Sequence, residues 1–260
     1  MALVRRGILP TREKAQAAIM AGQVFIDGRR VCKSSETVLP DEILTIKSPE
    51  KKYVSRGALK LEKALNVFQA DIRNKVVMDV GASTGGFTDV CLQNGAEHVF
   101  SVDVGYGQLD WKLRNDPRVT VMERTNARFL TREMFDRDID IAVMDVSFIS
   151  VRLILPAVIG VIGDEGVVYS LIKPQFEAGR GKVGKKGVVR EAETHEEVIR
   201  TVADFVQTIG WKINNLDYSP ITGPEGNIEF LAEIRKADEV KTSEPDISAV
   251  VAEAHRLLDH

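Results

Sequence analysis

The chain reads as an α/β protein: a seven-stranded, mostly parallel sheet closed by a terminal antiparallel hairpin, with a small α+β domain in front. Three observations predict this. From Val76 to Ile172, short apolar runs rich in β-branched residues alternate with helical stretches, the pattern of a parallel sheet covered by helices. The last two strand-like segments, Trp211–Ser219 and Ile228–Arg235, are joined by Pro220 to Asn227, too short for a parallel crossover. Residues 1–54 carry 10 Lys/Arg against 6 Asp/Glu, the remainder 25 against 32. A basic front segment on an acidic body hints at a module that faces nucleic acid.

Composition narrows the class. A length of 260 residues suits one ordinary domain plus a small one. Cys32 and Cys91 are the only cysteines and lie far apart, so no disulfide framework is expected and a cytoplasmic location is. The longest apolar run, Leu153 to Gly163, is interrupted by Pro156 and Gly160 and is too short to span a bilayer. No secretory signal pattern and no clustered His/Cys metal set stand out.

Residues 1–47 form the expected front domain. Thr11 is an N-cap candidate for a helix through Ala15, Ala18, Ile19 and Met20, with Gly22 as its stop. Asp27-Gly28, between Val24-Phe25-Ile26 and Arg29-Arg30-Val31, predicts a two-residue hairpin. Arg5, Arg6, Arg12 and Lys14 on the helical part, with Arg29 and Arg30 after the turn, could contact RNA phosphates; an ordinary solvated face is the alternative. Thr11 to Ala15 and Ala21 to Gly28 resemble the alpha-L RNA-binding module of a ribosomal small-subunit protein, tyrosyl-tRNA synthetase tails and pseudouridine synthases. Met1 falls where the module's first helix would be under way, so a short first helix is expected.

Residues 48–54 read as a polar linker, residues 55–236 as the main domain and residues 237–260 as an acidic tail or loosely packed helix. The main domain opens with an amphipathic helix, Ser55 to Phe68. Its stripe is Leu61, Ala64, Leu65 and Phe68; Arg56, Lys60 and Lys63 fall on the opposite face, with Arg56 a candidate RNA contact and an ordinary solvated basic face the alternative. Val76 to Phe87 predicts a buried strand, a turn permitted by Gly81 and Gly85, and a helix starting near Gly86. Further strands are expected at His98–Asp103, Val119–Glu123, Ile139–Asp145 and Gly166–Ile172, and helices at Leu153–Val161 and Glu193–Ile209. Five parallel strands and a hairpin form the Rossmann-like layout associated with class I methyltransferases, whereas the usual dinucleotide fold has six parallel strands.

Ligands sit at the carboxyl ends of such strands. Gly81, Ser83 and Gly85 belong to the glycine-rich turn. Asp103, ending the second strand, could accept from both ribose hydroxyls of a nucleoside cofactor. Asn126 could meet an adenine edge or serve as a turn residue, and Phe87 could pack on the cofactor or in the core. Asp145 and Lys173 end neighbouring strands and could neutralise each other. Glu229 lies early in the last strand, and Lys60 would enter from the preceding helix. Two lysines and two carboxylates at one mouth suit methylation of a ribose 2′-hydroxyl: one amine removes the proton, a second ammonium stabilises the oxyanion, and the acids orient both.

Ser55 to Leu61, Asp79 to Phe87, Asp103 to Leu109, Glu123 to Arg128, Asp145 to Ser150, Lys173 to Glu177 and Gly223 to Glu229 together resemble the TlyA family, bacterial proteins called hemolysins and similar to FtsJ-type RNA methyltransferases. The resemblance implies S-adenosyl-L-methionine-dependent 2′-O-methylation of cytidine in ribosomal RNA, with ribosomal RNA or subunits as partner and no membrane. It implies a catalytic tetrad at Lys60, Asp145, Lys173 and Glu229, and cofactor contacts at Gly85, Phe87, Asp103, Asn126 and Asp145. FtsJ proteins carry proline and tryptophan where this chain has Thr84 and Phe87, and an acid where it has Asn126. Gly179 to Arg190 interleaves glycines with Lys182, Lys185 and Lys186 and predicts a mobile basic loop that orders on RNA. Two rival readings are a membrane-active hemolysin and an RNA-binding protein on a catalytically silent fold.

Overall fold

A computed structural model describes residues 1–47, 52–184, 186–237 and 244–258. The chain folds as two compact units, Met1–Lys52 and Tyr53–His260. The expected linker lies partly outside the described residues, as do residues 238–243, 259 and 260 of the expected tail.

The first unit contains α1 (Ala2–Arg5), α2 (Arg12–Met20), β1 (Val24–Ile26), β2 (Arg29–Arg30) and β3 (Leu44–Ile46). Thr11 caps α2 by accepting from Lys14 N at 3.2 Å, satisfying one of the helix's free donors. Asp27 and Gly28 both have positive φ, 46° and 82°, as a twisted two-residue hairpin turn requires. β1 is central, antiparallel to β2 and to β3; β3, three residues long, is too short for its pattern to stand out in the sequence. Leu3, Ala15, Ala18, Val24, Ile26 and Val31 form the core.

The second unit contains α3 (Ala58–Val67), β4 (Val76–Val80), α4 (Gly86–Gln93), β5 (His98–Val102), α5 (Trp111–Arg114), β6 (Val119–Met122), β7 (Ile141–Met144), α6 (Leu155–Ile162), β8 (Val167–Ile172), α7 (Pro174–Glu177), α8 (Ala192–Thr208), β9 (Trp211–Tyr218), β10 (Phe230–Lys236) and α9 (Ile247–Leu258). The sheet order is β6-β5-β4-β7-β8-β10-β9. The first five strands are parallel, β10 runs antiparallel to β8, and β9 antiparallel to β10. Every residue of β4, β5, β7 and β8 is buried because both faces are covered. Alternation along each strand divides the core: Met78, Phe100 and Met144 pack on one face with Leu155 and Ile199, Val77 and Leu171 on the other with Leu61 and Phe87.

Two elements differ from expectation. Residues 247–258 form an amphipathic helix docked on α8 and β9, with Val251 and Ala254 fully buried. The basic face assigned to the helix at 55–68 is not a solvated one. Lys60 is 7 % exposed, and Lys63 Nζ donates to Asp217 Oδ1 at 2.9 Å and to the Tyr218 carbonyl at 2.7 Å. The cause is the hairpin: β10 packs against α3, and β9 supplies the partners of Lys63.

The turn after β4 depends on Gly81 and Gly85. Gly81 has φ +86°, and a Cβ there would lie 2.8 Å from the Asp145 carbonyl oxygen; Gly85 has φ +95°, and its Cβ would meet Leu113 at 2.3 Å. Gly85 cannot cap α4 with a side chain. Asp79, in the middle of β4, does so instead: Oδ2 accepts from Thr88 N at 2.8 Å and from Thr88 Oγ1 at 2.6 Å. Asp79 is fully buried. Burial pushes its carboxyl up to about 7, against the lowering effect of the Thr88 hydrogen bonds.

Candidate active site

Strand register assembles the site. Phe230 stands opposite Ile172 in the β8–β10 ladder, which brings Glu229, one residue before β10, to Lys173, one residue after β8. Asp145 follows β7, the neighbour of β8 on its other side. Lys60 comes from the buried stripe of α3.

The four side chains meet. Lys60 Nζ lies 2.6 Å from Glu229 Oε2 and 3.5 Å from Asp145 Oδ2. Lys173 Nζ lies 2.5 Å from Asp145 Oδ1, an ion pair off the line of a well-aligned hydrogen bond, and donates to Ser147 Oγ at 2.8 Å. Asp145 thus bridges the two ammonium groups. Glu229 is fully buried, and Gln175 Nε2 donates to its Oε1 at 3.3 Å. A buried carboxylate of this kind is tolerable only because it is paired and hydrogen-bonded.

Beside the tetrad, at the carboxyl ends of β4, β5 and β7, lies a cavity of ≈ 470 Å³ whose lining includes Gly81, Ser83, Asp103, Asn126, Asp145 and Ser147. Its size is that of a small-molecule site. Asp103 accepts from Ser83 N and from Gly105 N, each at 2.7 Å. Those bonds fix its carboxylate at the cavity and leave each oxygen a further lone pair. Asn126 accepts from Arg128 N through Oδ1, so it is a capping residue as well as a cavity residue. Gly85 and Phe87 stand elsewhere. Gly85 is packed under Leu109 and Leu113, and Phe87, 5 % exposed, is in the core with Leu61 and Leu171. Neither residue lines the cavity.

A cleft of ≈ 830 Å³ opens at the other ends of β7 and β8. Of the charges that line it, Lys75 pairs with Asp140 and Arg132 with Asp138.

The basic candidates are spread over both units. Arg5, Arg6, Arg12, Lys14, Arg29 and Arg30 are all exposed. Arg6 is also a brace, donating to the carbonyls of Glu42 at 2.6 Å and Leu39 at 2.7 Å, and Arg29 pairs with Glu36 at 3.0 Å. Arg56 is exposed in the turn before α3, Lys182 pairs with Glu197 on α8, and Lys186 is exposed; Lys185 lies outside the described residues. The far half of the Gly179–Arg190 stretch is anchored. Val188 and Val189 are buried, and Asn227, 3 % exposed, donates to the Gly187 carbonyl at 2.9 Å and accepts from Val189 N at 3.1 Å.

Sequence reasoning missed four residues here. Ser147 and Gln175, which hold Lys173 and Glu229, lie inside the motifs around Asp145 and Lys173. Glu177 ties the strand-end loops together, accepting from Ser150 Oγ and Val151 N, both at 2.7 Å. Phe148, 91 % exposed on the cavity rim, has φ +64°, a conformation uncommon for a bulky residue. Only the spacing of polar residues after each strand could have signalled the first three; nothing in the sequence signals a strained aromatic.

Known proteins resemble the chain along most of its length. Residues 53–236 match the FtsJ-like methyltransferase family and residues 1–44 the S4 domain. A Bacillus subtilis protein described as a candidate rRNA methyltransferase, YqxC, is 48 % identical over 261 residues, covering 98 % of this chain and 93 % of its own length. The 16S/23S rRNA (cytidine-2′-O)-methyltransferase TlyA of Mycobacterium tuberculosis is 45 % identical over 234 residues, covering 90 % and 87 %. A solved structure from Streptococcus thermophilus, described as a candidate hemolysin, superposes with a TM-score of 0.78 at 47 % identity, covering 99 % of this chain and 94 % of that one. The chain therefore belongs to the FtsJ-like methyltransferase family and, within it, to the TlyA group that joins that domain to an S4 domain.

Proposed function

We propose that this protein methylates a ribose 2′-hydroxyl, of cytidine in ribosomal RNA, with S-adenosyl-L-methionine as donor. The observation that carries the reading is the meeting of Lys60, Asp145, Lys173 and Glu229 beside a nucleoside-sized cavity. The TlyA relative named for cytidine-2′-O-methylation supports the substrate class. The donor set fits the cofactor: Asp103 for ribose hydroxyls, Asn126 for a base edge, and the Gly81–Ser83 turn beneath them. When bound, S-adenosylmethionine supplies a methyl group on a sulfonium, an electrophile that needs only an ionised oxygen.

The chain's own residues ionise the substrate oxygen. A 2′-hydroxyl is hardly ionised at neutral pH, so a base must take its proton and a cation must sit beside the charge that develops. Lys173 and Lys60 are the groups for these tasks. Asp145 spaces them, and Glu229 holds Lys60 from the far side. The exposed arginines and lysines of the first unit serve as phosphate contacts that position RNA without reading sequence.

The test is transfer of labelled methyl from S-adenosylmethionine to ribosomal subunits lacking the modification, with the modified ribose mapped. Lys60→Ala and Lys173→Ala should abolish transfer, Lys60→Ala also lowering stability because it orphans the buried Glu229 carboxylate; variants as active as the parent would remove the mechanism. A parent that binds RNA without transferring methyl would favour the silent-fold reading. A membrane-active hemolysin would release dye from liposomes; among the described residues no helix is long and apolar enough to cross a membrane.

A further inference from the structure

Lys60 and Lys63 stand one turn apart on α3, and both reach the hairpin. Lys60 Nζ lies 2.6 Å from Glu229 Oε2. Lys63 Nζ donates to the Tyr218 carbonyl at 2.7 Å and to Asp217 Oδ1 at 2.9 Å, and lies 3.3 Å from the centroid of the Tyr218 ring. The peptide group whose carbonyl Lys63 holds makes a second bond. Its N–H, on the fully buried Ser219, donates to the Glu229 carbonyl oxygen at 2.8 Å. Glu229 is thus held twice from α3: its side chain by Lys60, and its main chain by Lys63 through the Tyr218–Ser219 peptide. Lys60 needs such a tie. It lies in the first turn of α3, and Gly57 at the N-cap has no side chain to satisfy the free N–H groups. A helix end of this kind keeps its place through tertiary contacts.

We propose that Lys63 is a positioning residue of the methyl-transfer site: it sets the distance between α3 and the start of β10, and with it the meeting of Lys60 and Glu229. This rests on the 2′-O-methylation reading. Lys63 does not line the cavity, so it acts through Lys60 and Glu229. Its ammonium is bonded to an anion and a carbonyl and faces an aromatic ring, three contacts that together fix how closely the helix approaches the hairpin. Without them, Lys60 holds Glu229 by its own flexible stem alone, and Nζ can drift. A displacement of about 1 Å in a reacting group can lower a rate about 100-fold. Lys60 keeps its own pair with Glu229, so a loss of about 10-fold is expected.

Two measurements test this. In methyl transfer, Lys63→Met, which keeps the stem and removes the donors, should lower kcat about 10-fold with KM for RNA within about 2-fold. Lys63→Arg, whose fork can reach the same carboxylate, carbonyl and ring, should restore most of the loss. Val251→Ala, which opens a cavity under α9, is the control: it lowers stability and should leave kcat within about 2-fold. The second readout needs no turnover. In hydrogen exchange, the Ser219 amide should lose protection about 10-fold or more in Lys63→Met, relative to the amides of β4, and keep it in Lys63→Arg and Val251→Ala. A Lys63→Met variant with parental kcat, or one whose loss Val251→Ala matches, overturns the assignment, as does unchanged protection at Ser219. A parent that transfers no methyl to RNA refutes the functional reading instead, and the exchange measurement still decides whether Lys63 holds Glu229. If Lys63→Met fails to fold, Lys63→Gln, polar but too short to span the same gap, decides by the same two measurements.

Discussion

Asp79→Asn should change how stability depends on pH. Asp79 lies in the middle of the sheet, fully buried, with Oδ2 on Thr88 and Oδ1 without a hydrogen-bond partner. Burial raises its carboxyl from the ordinary value of 3.8 to about 7. The folded value lies above the unfolded one, so folding disfavours the ionised form. The stability that this neutral carboxyl contributes is complete below about pH 4 and is lost as pH rises through about 7. Over the whole range linkage makes this roughly 4 kcal/mol, of which about 2–3 kcal/mol is lost between about pH 5 and pH 8. Asparagine keeps an oxygen for Thr88 and cannot ionise, so the variant lacks that decline. Urea unfolding of parent and variant at about pH 5, 6.5 and 8 measures it. Whatever fixed penalty the new amide carries, the variant should gain on the parent by about 2–3 kcal/mol across the range. A stability difference that stays flat with pH would refute the reasoning and mean that Asp79 is ionised throughout.

Other consequences are more local. Gly81→Ala should destabilise by about 1–3 kcal/mol, because φ is +86° and the added Cβ meets the Asp145 carbonyl oxygen; thermal melting checks this. Phe148→Gly should relieve a left-handed conformation and raise stability by about 1 kcal/mol, while methyl transfer falls if the exposed ring contacts RNA. Glu177→Ala should cost about 1–3 kcal/mol by orphaning Val151 N and removing the acceptor of the Ser150 hydroxyl, and should slow transfer because the loop carrying Asp145 and Ser147 loosens. Lys182→Ala with Lys186→Ala should lessen the salt dependence of RNA binding, the slope falling by about 1 for each phosphate no longer neutralised; an unchanged slope would separate that stretch from RNA.

Much of the fold was legible because its signals are local. The parallel strands announce themselves as apolar runs bounded by polar residues, and the Asp27-Gly28 turn as a pair that tolerates positive φ. The hairpin followed from the length of its connection. What stayed hidden depends on which faces meet. Lys63 read as solvated because helical periodicity shows a face but not what the β9–β10 hairpin lays over it. Residues 247–258 read as a tail or loosely packed helix because their apolar stripe has meaning only against α8 and β9. Of the site, Asp145, Lys173 and Glu229 were visible as charges at strand ends, where burial makes charge conspicuous. Ser147 and Gln175 carry no charge, and their importance comes from a neighbour far away in sequence. Phe87 read as either a cofactor contact, as the family resemblance implies, or a core residue; it packs in the core with Leu61 and Leu171.

Asn227 clasps the main chain of the glycine-rich basic stretch from a position two residues before Glu229. That makes spacing, rather than charge, the sensitive property there. A library that scrambles the lysines should keep the acid in place. Adding or removing a single residue between Gly184 and Val189 would break the clasp and loosen the grip on Lys60 from a distance.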